Sequence, residues 1–311
     1  MPDATLNHTV FHLRTPDAQR LHVRLVGPAR GEPWLVLHGG PGSGCAASMA
    51  AWFDPQRHRV VMPDQRGAGR STPAGGLRRN NVGALLADLE QLRAALGIAR
   101  WGVVGGSWGA ALALAYAARY PHAVAALVLR GAFLTGRDDV LGLFAPRPGS
   151  GLLRRVAPAG ERLPEGRARL LTVSRLLQSG TTVQKRDTAT AWRRLELERL
   201  GLRGVAQGRR QPARERLATV RKYRIQAHYL RHRAGLGKPA LLRAARGIAA
   251  HGLPVTLLHG RADAVCRPAN ALRLRQAMPD ARLAWVEGGH LADGAMRGAL
   301  AEAIRASAWL R

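Results

Sequence analysis

Residues 101–117 read Trp101-Gly102-Val103-Val104-Gly105-Gly106-Ser107-Trp108-Gly109-Ala110-Ala111-Leu112-Ala113-Leu114-Ala115-Tyr116-Ala117. A short apolar run with the length of a buried strand ends in G-x-S-x-G, and an alanine-rich, helix-forming segment follows at once. A strand that turns this sharply into a helix leaves no room for side chains around the serine. Glycines 105, 106 and 109 meet that demand, and the hydroxyl then stands free above the sheet edge at a helix N-terminus. Five residues alone would also fit a glycine-rich turn with an incidental serine. The strand before it and the helix after it separate the two readings.

Working outward, the same strand-then-helix rhythm continues on both sides. Residues 9–15, 21–26, 34–37 and 59–62 read as strands, 82–96 as an amphipathic helix, 108–119 as a helix stopped by Pro121, and 125–129 as a further strand. The rhythm breaks after Arg130, where helix-compatible stretches at 189–200 and 216–231 lack strands between them, and residues 201–216 read as a flexible loop. Strand, helix, strand and closing helix resume at 254–259, 268–278, 282–286 and 291–310. This order predicts an α/β fold with a mostly parallel central sheet flanked by helices and an inserted helical cap. The expected division is core over 1–135, cap over 136–250 and core again over 251–311.

Composition narrows the function classes. The 311 residues carry 48 Lys and Arg against 20 Asp and Glu, a net charge of +28, and the isoelectric point is about 11.8. Such basicity raises nucleic acid or an anionic surface as a partner. Only three of the cations are lysines (Lys185, Lys222 and Lys238), and 18 of the 28 net charges fall within residues 137–250. The basic residues lack the aromatic interleaving of single-strand binders, so no nucleic acid is expected as partner. No apolar run approaches the roughly 20 residues of a membrane span. With no secretory signal at the N-terminus, the expected location is the cytoplasm. Cys45 and Cys266 are too few for a disulfide framework and lack metal-ligand spacing, so no metal and no cofactor is expected.

A serine hydroxyl needs a general base, and the base needs an orienting carboxylate. Of the eleven histidines, His290 in Glu287-Gly288-Gly289-His290 follows the last expected strand, and Asp263 in His259-Gly260-Arg261-Ala262-Asp263 follows the one before it. The order serine, aspartate, histidine is the one a nucleophile on such a turn uses. Asp263 taken alone would also serve as a helix cap, and His290 alone as an exposed loop histidine. His259 is expected to shape its turn. The stretch His38-Gly39-Gly40-Pro41-Gly42, just past a strand, offers the Gly40 amide as one oxyanion donor, and Trp108 offers the other. Both cysteines are placed near this site, with packing as their expected role.

Three motifs together, His38-Gly39-Gly40-Pro41-Gly42, Asp64-Gln65-Arg66-Gly67-Ala68-Gly69-Arg70-Ser71 and Gly105-Gly106-Ser107-Trp108-Gly109, resemble the proline iminopeptidases (prolyl aminopeptidases) of the α/β-hydrolase superfamily. The resemblance extends through residues 128–133 and 259–263 to Gly289-His290, and touches the cap in patches. It implies an α/β-hydrolase fold and a serine hydrolase that releases N-terminal proline from small peptides through an acyl-enzyme. It also implies that Phe133 packs the proline ring, that Arg130 pairs with cap glutamates, and that Glu196 binds the free amine. Glu196 fits equally as a partner for neighbouring arginines on a solvated helix. The second amine-binding glutamate of the family falls where this chain has Gln226, which accepts a hydrogen bond without a charge. A different small ester or amide substrate, or a basic nucleic-acid-binding protein on a hydrolase shell, are the other readings. The Asp64–Ser71 motif is assigned turn geometry and buried charge pairing rather than catalysis.

Overall fold

A computed structural model describes residues 8–144, 166–202, 212–307 and 309. Strands β1 (His8–Arg14), β2 (Arg20–Val26), β3 (Glu32–Leu37), β4 (His58–Pro63), β5 (Trp101–Gly106), β6 (Val124–Arg130), β7 (Val255–Gly260) and β8 (Arg282–Val286) form one sheet. Their spatial order is β1-β2-β4-β3-β5-β6-β7-β8. The β1–β2 and β2–β4 pairs are antiparallel, and every other pair is parallel. Residue chemistry follows position. The edge strand β1 is largely exposed, whereas β5 and β6, covered on both faces, are apolar or glycine almost throughout.

Helix α1 (Val82–Ala95) starts on an Asn81 side chain that accepts from the Ala84 amide at 3.0 Å. Ten of the twelve residues of α2 (Trp108–Arg119) are buried, and five of those ten are alanines, which let the helix lie close against β5 and β6. Between β6 and β7 come α3 (Arg137–Gly142), α4 (Gly166–Ser179), α5 (Thr182–Arg199), α6 (Ala213–Arg231) and α7 (Gly237–Ala250). No strand interrupts them among the described residues. Residues 203–211 of the expected loop lie outside the described residues, and α6 already begins at Ala213. The chain closes with α8 (Pro268–Ala277) and α9 (Gly294–Ala306). The last helix begins later than the sequence suggests, so that residues 291–293 extend the loop that carries His290.

Helices α4, α5 and α6 pack on one another around Leu170, Val173, Leu177, Trp192, Tyr223 and Leu230. Trp192 of α5 stacks on Tyr223 of α6 at 5.0 Å between centroids, and Phe144, just past α3, meets Trp192 at 4.9 Å. Helix α7 behaves differently. Its stripe of Leu241, Ala245 and Ile248 joins the main core and packs against α2 and α8. Helix α6 ties the two groups together. Tyr229 lies 4.9 Å from Trp108 between ring centroids and donates its hydroxyl to Asn80 Oδ1 at 2.6 Å, while Ile225 is buried in the core. Among the described residues no helix is long and apolar enough to cross a membrane.

One charge cluster is buried beneath the site. The Arg66 guanidinium donates to Asp88 through Nε (2.6 Å) and Nη2 (2.7 Å), to Asp17 through Nη1 (2.6 Å), and to the Arg79 carbonyl at 2.9 Å. The Thr15 hydroxyl, followed by Arg66, holds Asp17 below the usual carboxylate range, while burial pushes Asp88 up against the pull of the same guanidinium. Removing the cation strands the buried Asp88 carboxylate and takes the partner from half-buried Asp17. Arg66→Ala is therefore expected to lower stability by about 3–5 kcal/mol, read as a shift in urea-unfolding midpoint. A change below about 1 kcal/mol would contradict this account.

Candidate active site

Ser107 sits between β5 and α2 at φ 57°, ψ −118°, a conformation that costs a non-glycine residue of order 1–3 kcal/mol. Its neighbours make the turn feasible. A Cβ on Gly109 would lie 2.0 Å from the Leu37 carbonyl oxygen at the end of β3, and one on Gly105 would lie 2.3 Å from the Gly109 carbonyl oxygen. The Ser107 amide donates to the Arg130 carbonyl at 2.9 Å, fastening the turn to β6. The hydroxyl is thus presented at the carboxyl ends of β3, β5 and β6, where open parallel sheets build their sites.

Loops after β7 and β8 bring in the other two candidates. His290 Nδ1 lies 2.8 Å from Asp263 Oδ2. Asp263 Oδ1 accepts from the Val265 and Cys266 amides, each at 2.8 Å. Burial would raise the Asp263 carboxyl, but the His290 bond and the two amides outweigh it and hold the group below its ordinary value. An ionised carboxylate only accepts, so Nδ1 carries the hydrogen and Nε2 is left as the imidazole's free lone pair. His259, fully buried, shapes the turn as expected. It donates from Nε2 to the Cys266 carbonyl at 3.1 Å, and burial pushes its pKa down and keeps it neutral.

The Ser107 hydroxyl lies 3.8 Å from Cys266 Sγ, and among the described residues no hydrogen bond joins it to His290. Of the two cysteines, Cys266 borders the hydroxyl. Cys45 Sγ lies 3.4 Å from the Pro63 carbonyl oxygen at the end of β4, to which it donates. Asp263, Cys266 and His290 bring three potential ligand atoms within 4.8 Å of one another. Burial and the Asp263 carboxylate push the Cys266 thiol well above its ordinary value, so the sulfur is a neutral thiol, a weak ligand.

The loop after β3 faces the elbow. Gly40, at φ 114°, and Trp108, at the first helical position where an amide has no intrahelical acceptor, supply the two candidate backbone donors. Gln65 links the two sides. Its amide donates to His38 Nε2 at 3.0 Å and its Nε2 to the His38 carbonyl at 3.1 Å, while its Oε1 accepts from the Trp108 indole at 2.8 Å. The Asp64 carboxylate accepts from the Cys45 amide at 2.6 Å and the Arg70 amide at 2.9 Å, which secures the far end of the loop. Sequence reasoning assigned this motif to turn geometry and charge pairing. It missed Gln65, because a polar residue inside a glycine-rich turn gives no signal of what it touches.

These groups open onto one cavity of about 200 Å³. Ser107, His290, Gly40, Arg130, Glu196 and Gln226 line it, with Phe133, Leu143, Trp192, Leu195 and Val265 as apolar walls. Phe133 stands in the cavity wall. Among the described residues Arg130 makes no ion pair with a cap glutamate: its guanidinium donates to the His290 carbonyl, and the partner of Glu196 is Lys222, with Nζ 2.6 Å from Oε2. The reason is local: α6 carries Lys222 and Tyr223 against α5, and both donate to the same carboxylate oxygen. Neither was singled out from sequence. Helix α6 also closes on the candidate oxyanion loop. A Cβ on Gly42, at φ 91°, would lie 2.7 Å from the Lys222 carbonyl oxygen and 3.1 Å from Ile225 Cβ.

The family model for the alpha/beta hydrolase fold matches residues 33–292. The proline iminopeptidase of Xylella fastidiosa (strain Temecula1 / ATCC 700964) is 37% identical over 286 residues, covering 89% of this chain and 88% of its own. That of Neisseria gonorrhoeae is 33% identical over 302 residues, 94% of each chain. Among solved structures, a thioesterase domain from the curacin biosynthetic pathway superposes with a TM-score of 0.63 at 22% identity, covering 96% of this chain and 99% of that one, and shares the fold. With these likenesses laid over the elbow, the histidine–aspartate pair and the facing glycine loop, the chain belongs to the proline iminopeptidase family of the alpha/beta hydrolase fold.

Proposed function

We propose that the protein is a serine hydrolase that releases N-terminal proline from small peptides through an acyl-enzyme. The observation that carries this reading is the 2.8 Å bond between His290 Nδ1 and Asp263 Oδ2 beside an elbow serine in one small cavity. It is joined by the family in which the relatives bear the name proline iminopeptidase. Ser107 Oγ attacks the substrate carbonyl carbon as His290 Nε2 takes its proton. Asp263 holds the imidazole in the tautomer that makes this possible and stabilises the imidazolium that results. The carbonyl oxygen gains the negative charge and receives hydrogen bonds from the Gly40 and Trp108 amides. Collapse of the tetrahedral adduct expels the peptide amine, which takes the proton from His290, and water repeats the sequence to free proline.

The resting hydroxyl faces Cys266, so proton transfer requires it to turn toward the imidazole. Catalytic hydrogen bonds commonly tighten only when substrate is bound. Helices α3 to α6 act as the cap that roofs the cavity. The cavity is smaller than the roughly 300 Å³ at which pockets for drug-sized ligands begin, which suits a single small acyl group against Phe133 and Trp192. The two free thiols suit a reducing cytoplasm. A second reading, hydrolysis of another small ester or amide, is favoured by one observation: a neutral amide, Gln226, lines the cavity.

A panel of prolyl and other aminoacyl arylamides and short-chain esters separates the two readings. Prolyl arylamide is expected to give the highest kcat/KM, and equal or better turnover of simple esters would remove the proline assignment while leaving the hydrolase. Ser107→Ala is expected to lower kcat at least about 10⁴-fold, and Asp263→Asn about 10⁴-fold, with folding retained by circular dichroism. Gln65→Leu strips partners from the Trp108 indole and the His38 carbonyl. It should reduce kcat about tenfold or more with little change in KM, and cost about 1–3 kcal/mol of stability. An unaltered kcat would show that the loop and the elbow hold their spacing without it.

A further inference from the structure

Two features of the cavity take no part in the relay. The first is an ion pair built into its wall. Glu196 Oε2 accepts from Lys222 Nζ at 2.6 Å and from the Tyr223 hydroxyl. Lys222 Nζ also lies 4.8 Å from the Tyr223 ring centroid, and Tyr223 is stacked on Trp192, so the ammonium is held by neighbours that are themselves fixed. Burial opposes ionisation of Glu196, yet Lys222 and Tyr223 outweigh it and keep the carboxyl below its ordinary value. The wall therefore presents a carboxylate whose charge is already matched. The other charged side chains of the lining away from the relay, Arg130 and Arg199, are both cations.

The second feature is Gln226, four residues beyond Lys222 and so on the same face of α6. Its side chain lines the cavity and is buried, with 5% of the residue exposed, and its Oε1 has no hydrogen-bond partner among the described residues. A buried acceptor left open in the cavity that also holds the nucleophile calls for a donor on the substrate. An ammonium would meet a carboxylate whose charge is already matched by Lys222. A neutral N–H meets an open carbonyl.

We propose that this pocket takes the substrate's N-terminal nitrogen as an uncharged N–H donor to Gln226 Oε1, because Lys222 already matches the charge of Glu196 through Oε2. Lys222 is then a specificity residue acting through Glu196, and the favoured substrates are small-ring acyl groups whose ring nitrogen enters as a neutral N–H. This inference rests on the assignment of the cavity to the acyl group beside Ser107.

The test uses two arylamides with the same leaving group, one prolyl and one cyclopentanecarbonyl, which keeps the ring and lacks the nitrogen. They are compared by steady-state kinetics on the wild type, Lys222→Met, Gln226→Glu and Gln226→Leu, each checked for cooperative thermal unfolding. Lys222→Met frees Glu196 for an ammonium. It should raise the prolyl-to-carbocycle ratio of kcat/KM by about tenfold or more, through KM. Gln226→Glu should move the ratio the same way, and carries the test if Lys222→Met does not unfold cooperatively. Gln226→Leu should lower the ratio by about tenfold. An unchanged or reduced ratio in both Lys222→Met and Gln226→Glu overturns the proposal, as does an unchanged ratio in Gln226→Leu. If the wild type cleaves only the carbocycle and simple esters, the proline reading fails by itself. New prolyl turnover in Lys222→Met would then support the role of Lys222, and its absence would overturn that role too.

Discussion

The approach of α2 to the end of β3 governs the rest of the site. At Gly109 the helix backbone comes so near the Leu37 carbonyl that a single carbon would fill the gap, and this proximity lets the chain leave β5, hold Ser107 in an unfavourable backbone conformation and enter a helix within one residue. The strain is offset by what surrounds it. Ten buried residues of α2 anchor the helix, and the Ser107 amide is tied to the end of β6. From this fixed point the neighbouring strand ends aim their loops at one rim, so a carboxylate after β7 and an imidazole after β8 meet across 27 residues of sequence.

The layer beneath the rim shows how polar groups can rigidify a turn region without taking part in chemistry. Gln65 satisfies groups on both sides of the gap between the glycine loop and the elbow helix, and Asp64 closes the loop's far end. Below them Arg66 is locked between two carboxylates. Each member has its partners, and a polar network in a dry site holds its geometry only under that condition. Three consecutive residues thus serve three supports, which explains why the motif stands out in sequence although none of its side chains lines the cavity.

Much of this was legible before any coordinates. The sheet, its parallel core and the helices around it follow from the alternation of short apolar runs with amphipathic stretches. The positions of Ser107, Asp263 and His290 follow from where those runs end. The strand ends were readable because apolar runs stop abruptly at glycine, histidine, proline or a charged residue. What stayed hidden depends on packing between distant segments. Helix α7 has only a narrow stripe in Leu241, Ala245 and Ile248, and nothing in it says that its partner is the core rather than its neighbours in sequence. The pairing of Glu196 with Lys222 joins residues 26 apart on two helices, so arginine-rich surroundings offered many equally plausible partners. The departure of Arg130 from the expected ion pair has the same origin.

Helix α6 rests directly on the glycine loop. The backbone of Lys222 and the side chain of Ile225 abut Gly42, while the same helix carries Gln226 in the cavity wall. In the proposed mechanism, substrate choice and transition-state support therefore share one mechanical part. A replacement that tilts this helix to admit a larger acyl group also presses on the loop that carries Gly40, the proposed oxyanion donor. Broadening the range of accepted molecules and preserving speed become opposing demands on a single contact, and the smallest side chain in the protein is what keeps them compatible.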